Sequence, residues 1–131
     1  MKYYCGQKVS IKKIITEEDV LEFAKLSGDL NPIHIDREFA EKSIFKKQVA
    51  HGMYVSSMIS TLLGMYLPGS GCIYLKQTLN FLKPVYFNDE LTAEVEIVDI
   101  NNEIAKCKTT ITNMDQEKVV EGEAVVLLPK E

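Results

Sequence analysis

Gly52-Met53-Tyr54-Val55-Ser56-Ser57-Met58-Ile59-Ser60-Thr61-Leu62-Leu63-Gly64-Met65-Tyr66-Leu67 is the longest helical signal in the chain, and what can cover it decides the fold. Met53, Val55, Met58, Ile59, Leu62, Leu63, Met65, Tyr66 and Leu67 are spread over most of the circumference, which predicts a helix buried nearly all round. Ser56, Ser60 and Gly64 recur every fourth position, so one stripe is small enough for another backbone or a thin ligand to come close. Serines interrupt the apolar run and Pro68-Gly69-Ser70-Gly71 stops it, so it does not read as a membrane span.

The cover for that helix lies downstream. Residues 72–82, 91–100, 104–112 and 118–128 alternate with period two; in the first, Leu75, Gln77, Leu79 and Phe81 are expected to face one way and Tyr74, Lys76, Thr78 and Asn80 the other. Asn88-Asp89, Asn101-Asn102 and Asn113-Met114-Asp115-Gln116 supply turn residues, predicting an antiparallel meander for the last three runs. Strands of about ten residues span roughly 33 Å against roughly 24 Å for the helix, so a curved sheet can wrap it. The fold class is α+β.

Upstream, Lys8-Val9-Ser10-Ile11-Lys12 reads as a short edge strand. Thr16 followed by Glu17, Glu18 and Asp19 reads as an N-cap with an acidic first turn, and Gly28 as a left-handed stop for that helix. Pro32 forces a bend after it, Asp36 can cap a short helix over residues 37–42, and residues 43–50 are connector.

A length of 131 residues with 46% hydrophobic content fits one domain over residues 1–131. A net charge of -4, with both signs interspersed, excludes a global basic field for nucleic acid or a polybasic membrane anchor. Cys5, Cys72 and Cys107 stand singly, without a C-x-x-C pair, which favours a reducing compartment; the first ten residues have no apolar signal core, and a cytoplasmic protein is expected.

Chemistry concentrates in Ser27-Gly28-Asp29-Leu30-Asn31-Pro32-Ile33-His34 and in His51-Gly52-Met53. A bend at Pro32 can turn Asp29 and His34 towards one water as a pair that takes and returns a proton, although Asp29 can equally make a local Asx turn and His34 can simply pack. The first N–H groups of the helix have no partner within it, so the amide near Gly52 is a candidate donor to a developing oxyanion; a tight loop-to-helix junction is the plainer alternative. Ser60 alone reads as a core serine bonded to its own helix. Two histidines without H-x-x-x-H spacing or a Cys/His cluster predict no metal, and neither a G-x-S-x-G elbow nor a Gly-rich phosphate loop is present.

Phe23-Ala24-x-x-Ser27-Gly28-Asp29-x-Asn31-Pro32-x-His34, His51-Gly52-Met53 with Ser60 and Leu63-Gly64, the run from Pro68 through Tyr74-Leu75-x-Gln77-x-Leu79-x-Phe81, Pro84-Val85 and Gly122-Glu123-Ala124 together closely resemble the MaoC-like (R)-specific enoyl-CoA hydratases, from about Gly6 to Pro129. The resemblance implies a hotdog fold, a central helix wrapped by an antiparallel sheet and paired with a second copy as a homodimer. It implies reversible syn addition of water to a trans-2-enoyl thioester of coenzyme A, short to medium in chain, giving the (3R)-hydroxyacyl thioester without a cofactor. Carried over, Asp29 and His34 are catalytic, Asn31 orients them, Gly52 donates to the thioester oxygen and Ser60 supports the site. His51, Met53 and Tyr54 are expected at the substrate; Tyr54 stands where aliphatic residues are frequent. Lys46, Lys47, Lys76 and Lys83 read as solvated surface lysines, with coenzyme A phosphates as the sharper alternative. Rival readings are an acyl-carrier-protein dehydratase, a hotdog thioesterase and a non-catalytic acyl-thioester binding module.

Overall fold

The computed structural model describes residues 2–130. Its elements in chain order are β1 (Lys8–Ile14), α1 (Glu17–Ser27), α2 (Pro32–Ile35), α3 (Arg37–Glu41), α4 (Gly52–Met65), β2 (Ile73–Gln77), β3 (Asn80–Phe81), β4 (Glu90–Asn101), β5 (Ile104–Thr112) and β6 (Lys118–Leu127). The strands form one antiparallel sheet in the order β1-β4-β5-β6-β2, with β3 also paired to β6. The meander is β4-β5-β6, and β1 lies at an edge as its alternation predicts.

The local signals set the ends of α1. Thr16 accepts a hydrogen bond from the Asp19 amide at 3.1 Å, three acidic residues occupy the first turn, and Gly28, at φ 82°, ends the helix in the left-handed region. Asp36 caps α3 through the Phe39 amide. Asn102 and Gln116, both at positive φ, close the two turns of the meander.

Alternation along β4 buries Leu91, Ala93, Val95 and Ile97; Ala105, Cys107 and Ile111 of β5 and Val120, Ala124 and Val126 of β6 continue the same core. Val55, Met58, Ile59, Leu62 and Leu63, at helical spacing, turn one face of α4 onto that surface, chiefly against β4. Each such side chain contributes about 1.5–3 kcal/mol by leaving water. Small side chains at Ala93, Ala105 and Ala124 leave the sheet room to receive the helix.

Four expectations are corrected. The helix ends at Met65, and it is not buried all round: Met53, Ser57, Ser60 and Thr61 form an exposed stripe, because a single sheet covers only one of its sides. The strand expected over residues 72–82 is two, β2 and β3, interrupted at Thr78-Leu79. Its strict alternation also fails, since Tyr74 and Lys76 oppose the consecutive residues Val126 and Val125, leaving Leu75 as a bulge. The break has a partner in β6. A Cβ on Gly122 would fall 1.8 Å from the Thr78 carbonyl oxygen, so glycine is what lets the interrupted strand cross so closely.

Candidate active site

The bend after α1 is built from short side chains bonding to nearby backbone. Ser27 Oγ accepts from the Asp29 amide at 3.1 Å, Asp29 Oδ1 accepts from the Asn31 amide at 3.2 Å, and Asn31 Oδ1 accepts from the Ile33 amide at 3.3 Å, capping α2. The Asx turn and the bend towards His34 are therefore the same structure. Asn31 acts through its own N–H and through the start of the helix that carries His34.

The connector holds His34 from the other side. Gln48 Nε2 donates to the His34 carbonyl at 2.8 Å, the Val49 amide donates to Ile33 at 3.2 Å, and the Val49 carbonyl lies 2.7 Å from His34 Nδ1. A carbonyl can only accept, so Nδ1 carries the proton and Nε2 is left as the basic nitrogen. Burial holds the imidazole below its ordinary value, against the opposing pull of the Val49 carbonyl; His51 lowers it further and Asp29 raises it.

His51 stands at the N-cap of α4 and is 2% exposed, with Nε2 3.0 Å from the Asp29 carbonyl oxygen. Its ring stacks on His34 at 3.7 Å between centroids and 26° between planes, and Phe23 meets it edge-on at 4.9 Å. One side-chain atom each of Asp29, His34 and His51 falls within a 4.8 Å cluster. Sequence spacing predicts no cluster of metal-ligating residues, and this one forms only in three dimensions. Each imidazole gives one nitrogen to a backbone carbonyl, and a carboxylate beside an imidazole with one free nitrogen is a set that can take and return a proton.

These residues border a cavity of about 410 Å³ whose other walls include Phe45, Val49, Phe81, Val85, Val119 and Val120. Gly52 lies on its wall at the start of α4, whose first turn has no side-chain cap among the described residues, so its leading N–H groups, which have no partner within the helix, and the positive end of the helix dipole are available there. Phe81 lies against Gly52 so closely that a Cβ would come within 2.6 Å of the ring. The arrangement offers a carboxylate, a neutral imidazole and a helix-end amide beside an apolar chamber.

Of the sequence-predicted residues, Asp29, His34, His51, Gly52 and Met53 share this cavity. Ser60 does not. It lines a separate groove of about 480 Å³ between the exposed face of α4 and β2, with Met53 the residue common to both. Tyr54 lies outside the cavity as well: it packs against Phe23 at 5.6 Å, with the Lys13 ammonium 5.5 Å above its ring. Among the lysines, Lys83 reaches the cavity rim while paired with Glu117 at 2.7 Å, Lys76 lines the groove, and Lys47 sits over the Tyr86 ring. Phe45, Val119 and Val120 carry no sequence signal of a site, because only the folded sheet and connector bring them to it.

Similarity to known proteins agrees with this geometry. The chain is 44% identical over 95% of its length, and 94% of the relative's, to an (R)-specific enoyl-CoA hydratase of Aeromonas caviae. It is 40% identical to a 3-hydroxybutyryl-CoA dehydratase of Methylorubrum extorquens, over 92% of this chain and 77% of that one. The solved structure of the (R)-hydratase from A. caviae involved in PHA biosynthesis superposes with a TM-score of 0.94 at 43% identity, covering 97% of this chain and 98% of that one. Residues 5–120 match the model of the MaoC like domain, and the chain belongs to that family.

Proposed function

We propose that this protein is an (R)-specific enoyl-CoA hydratase, a hydro-lyase that adds water reversibly and syn to trans-2-enoyl-CoA to give (3R)-3-hydroxyacyl-CoA. The observation that carries it is the meeting of Asp29, His34 and the first turn of α4 at the wall of one apolar cavity. A water held between the Asp29 carboxylate and His34 Nε2 donates a hydrogen bond to each and turns a lone pair to C3 of the substrate. Its O–H bond breaks as the C3–O bond forms, one of the pair receives the proton, and the proton passes to C2 on the same face as the double bond is lost. The Gly52 amide takes the charge that grows on the thioester oxygen meanwhile. Asn31 fixes the spacing of the pair. The cavity lies at the low end of the roughly 300–1,000 Å³ of ligand sites, which suits a short to medium acyl tail.

Both electrons and atoms balance without a redox cofactor, and coenzyme A enters only as part of the substrate. The chain acts as one domain, and as a homodimer. The edge strand β2 exposes Ile73, Tyr74 and Leu75 beside the open face of α4, a surface that a second copy would cover by joining sheet edge to sheet edge. The supporting role of Ser60 depends on that second copy closing its groove. No helix among the described residues is long and apolar enough to cross a membrane, and the three unpaired cysteines fit a cytoplasmic enzyme.

The decisive experiment is hydration of crotonyl-CoA followed by chiral analysis of the product. Loss of enoyl absorbance with (3R)-3-hydroxybutyryl-CoA formed is the expected result. Release of free thiol without hydration would assign a thioesterase, binding without turnover a binding module, and a much higher kcat/KM on the crotonyl carrier protein a carrier-protein dehydratase.

A further inference from the structure

We propose that His51 is a positioning residue of this site and not a substrate contact: one imidazole ties the backbone of Asp29 to the start of α4 and fixes the plane of His34. The inference rests on the hydratase reading for its consequence, but its geometry stands apart from it.

An N-cap position usually carries Ser, Thr, Asn or Asp, whose oxygen accepts from the first turn. His51 occupies that place and makes no such bond. Its Nε2 instead meets the Asp29 carbonyl at 3.0 Å, across 22 positions of chain, and a carbonyl requires the proton to be on Nε2. Nδ1 is then a bare acceptor, sealed from solvent and without a partner among the described residues. An unsatisfied buried acceptor is costly, and a residue serving only to fill the core would avoid that cost with a hydrocarbon ring. What histidine adds over such a ring is the N–H directed at Asp29.

Two neighbouring rings also pack on His51. Phe23 meets it edge-on at 4.9 Å, and His34 stacks on it at 3.7 Å. His34 donates from Nδ1 and His51 from Nε2, so the stacked pair are opposite tautomers. Because His51 precedes Gly52 directly, one residue connects the carboxylate loop, the base and the oxyanion amide. Displacement of any of these by about 1 Å costs on the order of a hundredfold in rate.

The test compares two variants on crotonyl-CoA with their folds checked by circular dichroism. His51→Phe keeps a ring in the stack and loses the donor; His51→Gln can place an amide N–H near the Asp29 carbonyl. In His51→Phe we expect kcat to fall on the order of ten- to a hundredfold, with KM within about twofold. His51→Gln recovers part of that loss. Near-normal kcat in His51→Phe, a loss confined to KM, or equal losses in the two variants would overturn the proposal. Long-range 1H–15N spectra of the wild-type imidazoles decide it independently of turnover: His51 protonated on Nε2 and His34 on Nδ1 are expected, and His51 protonated on Nδ1 refutes it. A wild-type protein inactive on crotonyl-CoA counts against the hydratase reading alone, and the tautomers still decide the role of His51.

Discussion

The Val49 carbonyl lies 2.7 Å from His34 Nδ1, so a backbone group fifteen positions downstream chooses which nitrogen of the imidazole faces the cavity. Among the described residues Asp29 has no comparable anchor for its second oxygen; its Oδ1 receives the Asn31 amide alone. The imidazole is thus held in one orientation, and the exposed carboxylate is left accessible to a water.

Removing either partner should therefore remove proton transfer and little else. Asp29→Ala and His34→Ala are each expected to lower kcat/KM for crotonyl-CoA by at least about two orders of magnitude. Circular dichroism should remain that of the wild type, since Asp29 is exposed and His34, though buried, lines the cavity and is not part of the hydrophobic core cluster. A folded variant with near-normal kcat/KM would remove that residue from the mechanism.

The pH profile follows from the direction in which burial moves His34. Its folded value lies below the ordinary 6.5, so the basic Nε2 persists into mildly acidic solution. The acid limb of kcat/KM should be centred below pH 6.5, and one at or above it would contradict the assignment. Stability follows the same sign. Between the folded value and 6.5 the unfolded chain binds the extra proton, so this contribution is complete above 6.5 and is lost as pH falls towards the folded value. Urea midpoints for wild type and His34→Gln should converge as pH drops through that window.

At the other end of the site, Gly52 and Phe81 leave no room for a methyl group. Phe81 is 54% exposed and can swing aside, so Gly52→Ala should fold, while the displaced ring narrows the approach to the helix amide. A rise in KM together with a fall in kcat is expected. Pairing it with Phe81→Leu should restore part of both, and no recovery would show that Phe81 is not the obstacle.

A harsher outcome is expected at Gly122, where the colliding atom is the Thr78 carbonyl and not a mobile side chain. Gly122→Ala must part β6 from the junction of β2 and β3, a distortion of at least about 2 kcal/mol. In a chain of this size that is a Tm fall of roughly 8 °C or more by calorimetry. An unchanged Tm would mean that this crossing relaxes freely.

These contacts also mark what could be read along the chain and what could not. Thr16, Gly28 and Asp36 act on neighbours within four positions, so the ends of α1 and α3 were legible, as was the meander with its polar turns. Asp29 and His34 were legible as a pair because Pro32 bends the few residues between them. The bulge at Leu75 and the break at Thr78 depend on how β6 approaches, which period-two alternation does not encode. The resemblance puts Ser60 at the site, whereas the rotation of α4 against its sheet places it on the other groove. His51 was visible as a helix entrance, but its bond to Asp29 required the loop to fold back across 22 positions.

The groove holding Ser60 provides the last test, because it separates a site complete in one chain from one that needs two. Ile73 and Leu75 are 53% and 51% exposed on the edge strand, so a charge on either is harmless to a lone subunit and intolerable where two β2 edges meet. Ile73→Glu with Leu75→Glu is expected to shift sedimentation from the mass of a dimer to that of one chain while the secondary structure is kept. If the second copy closes the groove, activity falls with the dimer, and Ser60→Ala lowers kcat/KM in the wild-type background. If the monomeric variant instead hydrates crotonyl-CoA at the wild-type rate, the 410 Å³ cavity of a single chain is sufficient and Ser60 has no part in the reaction.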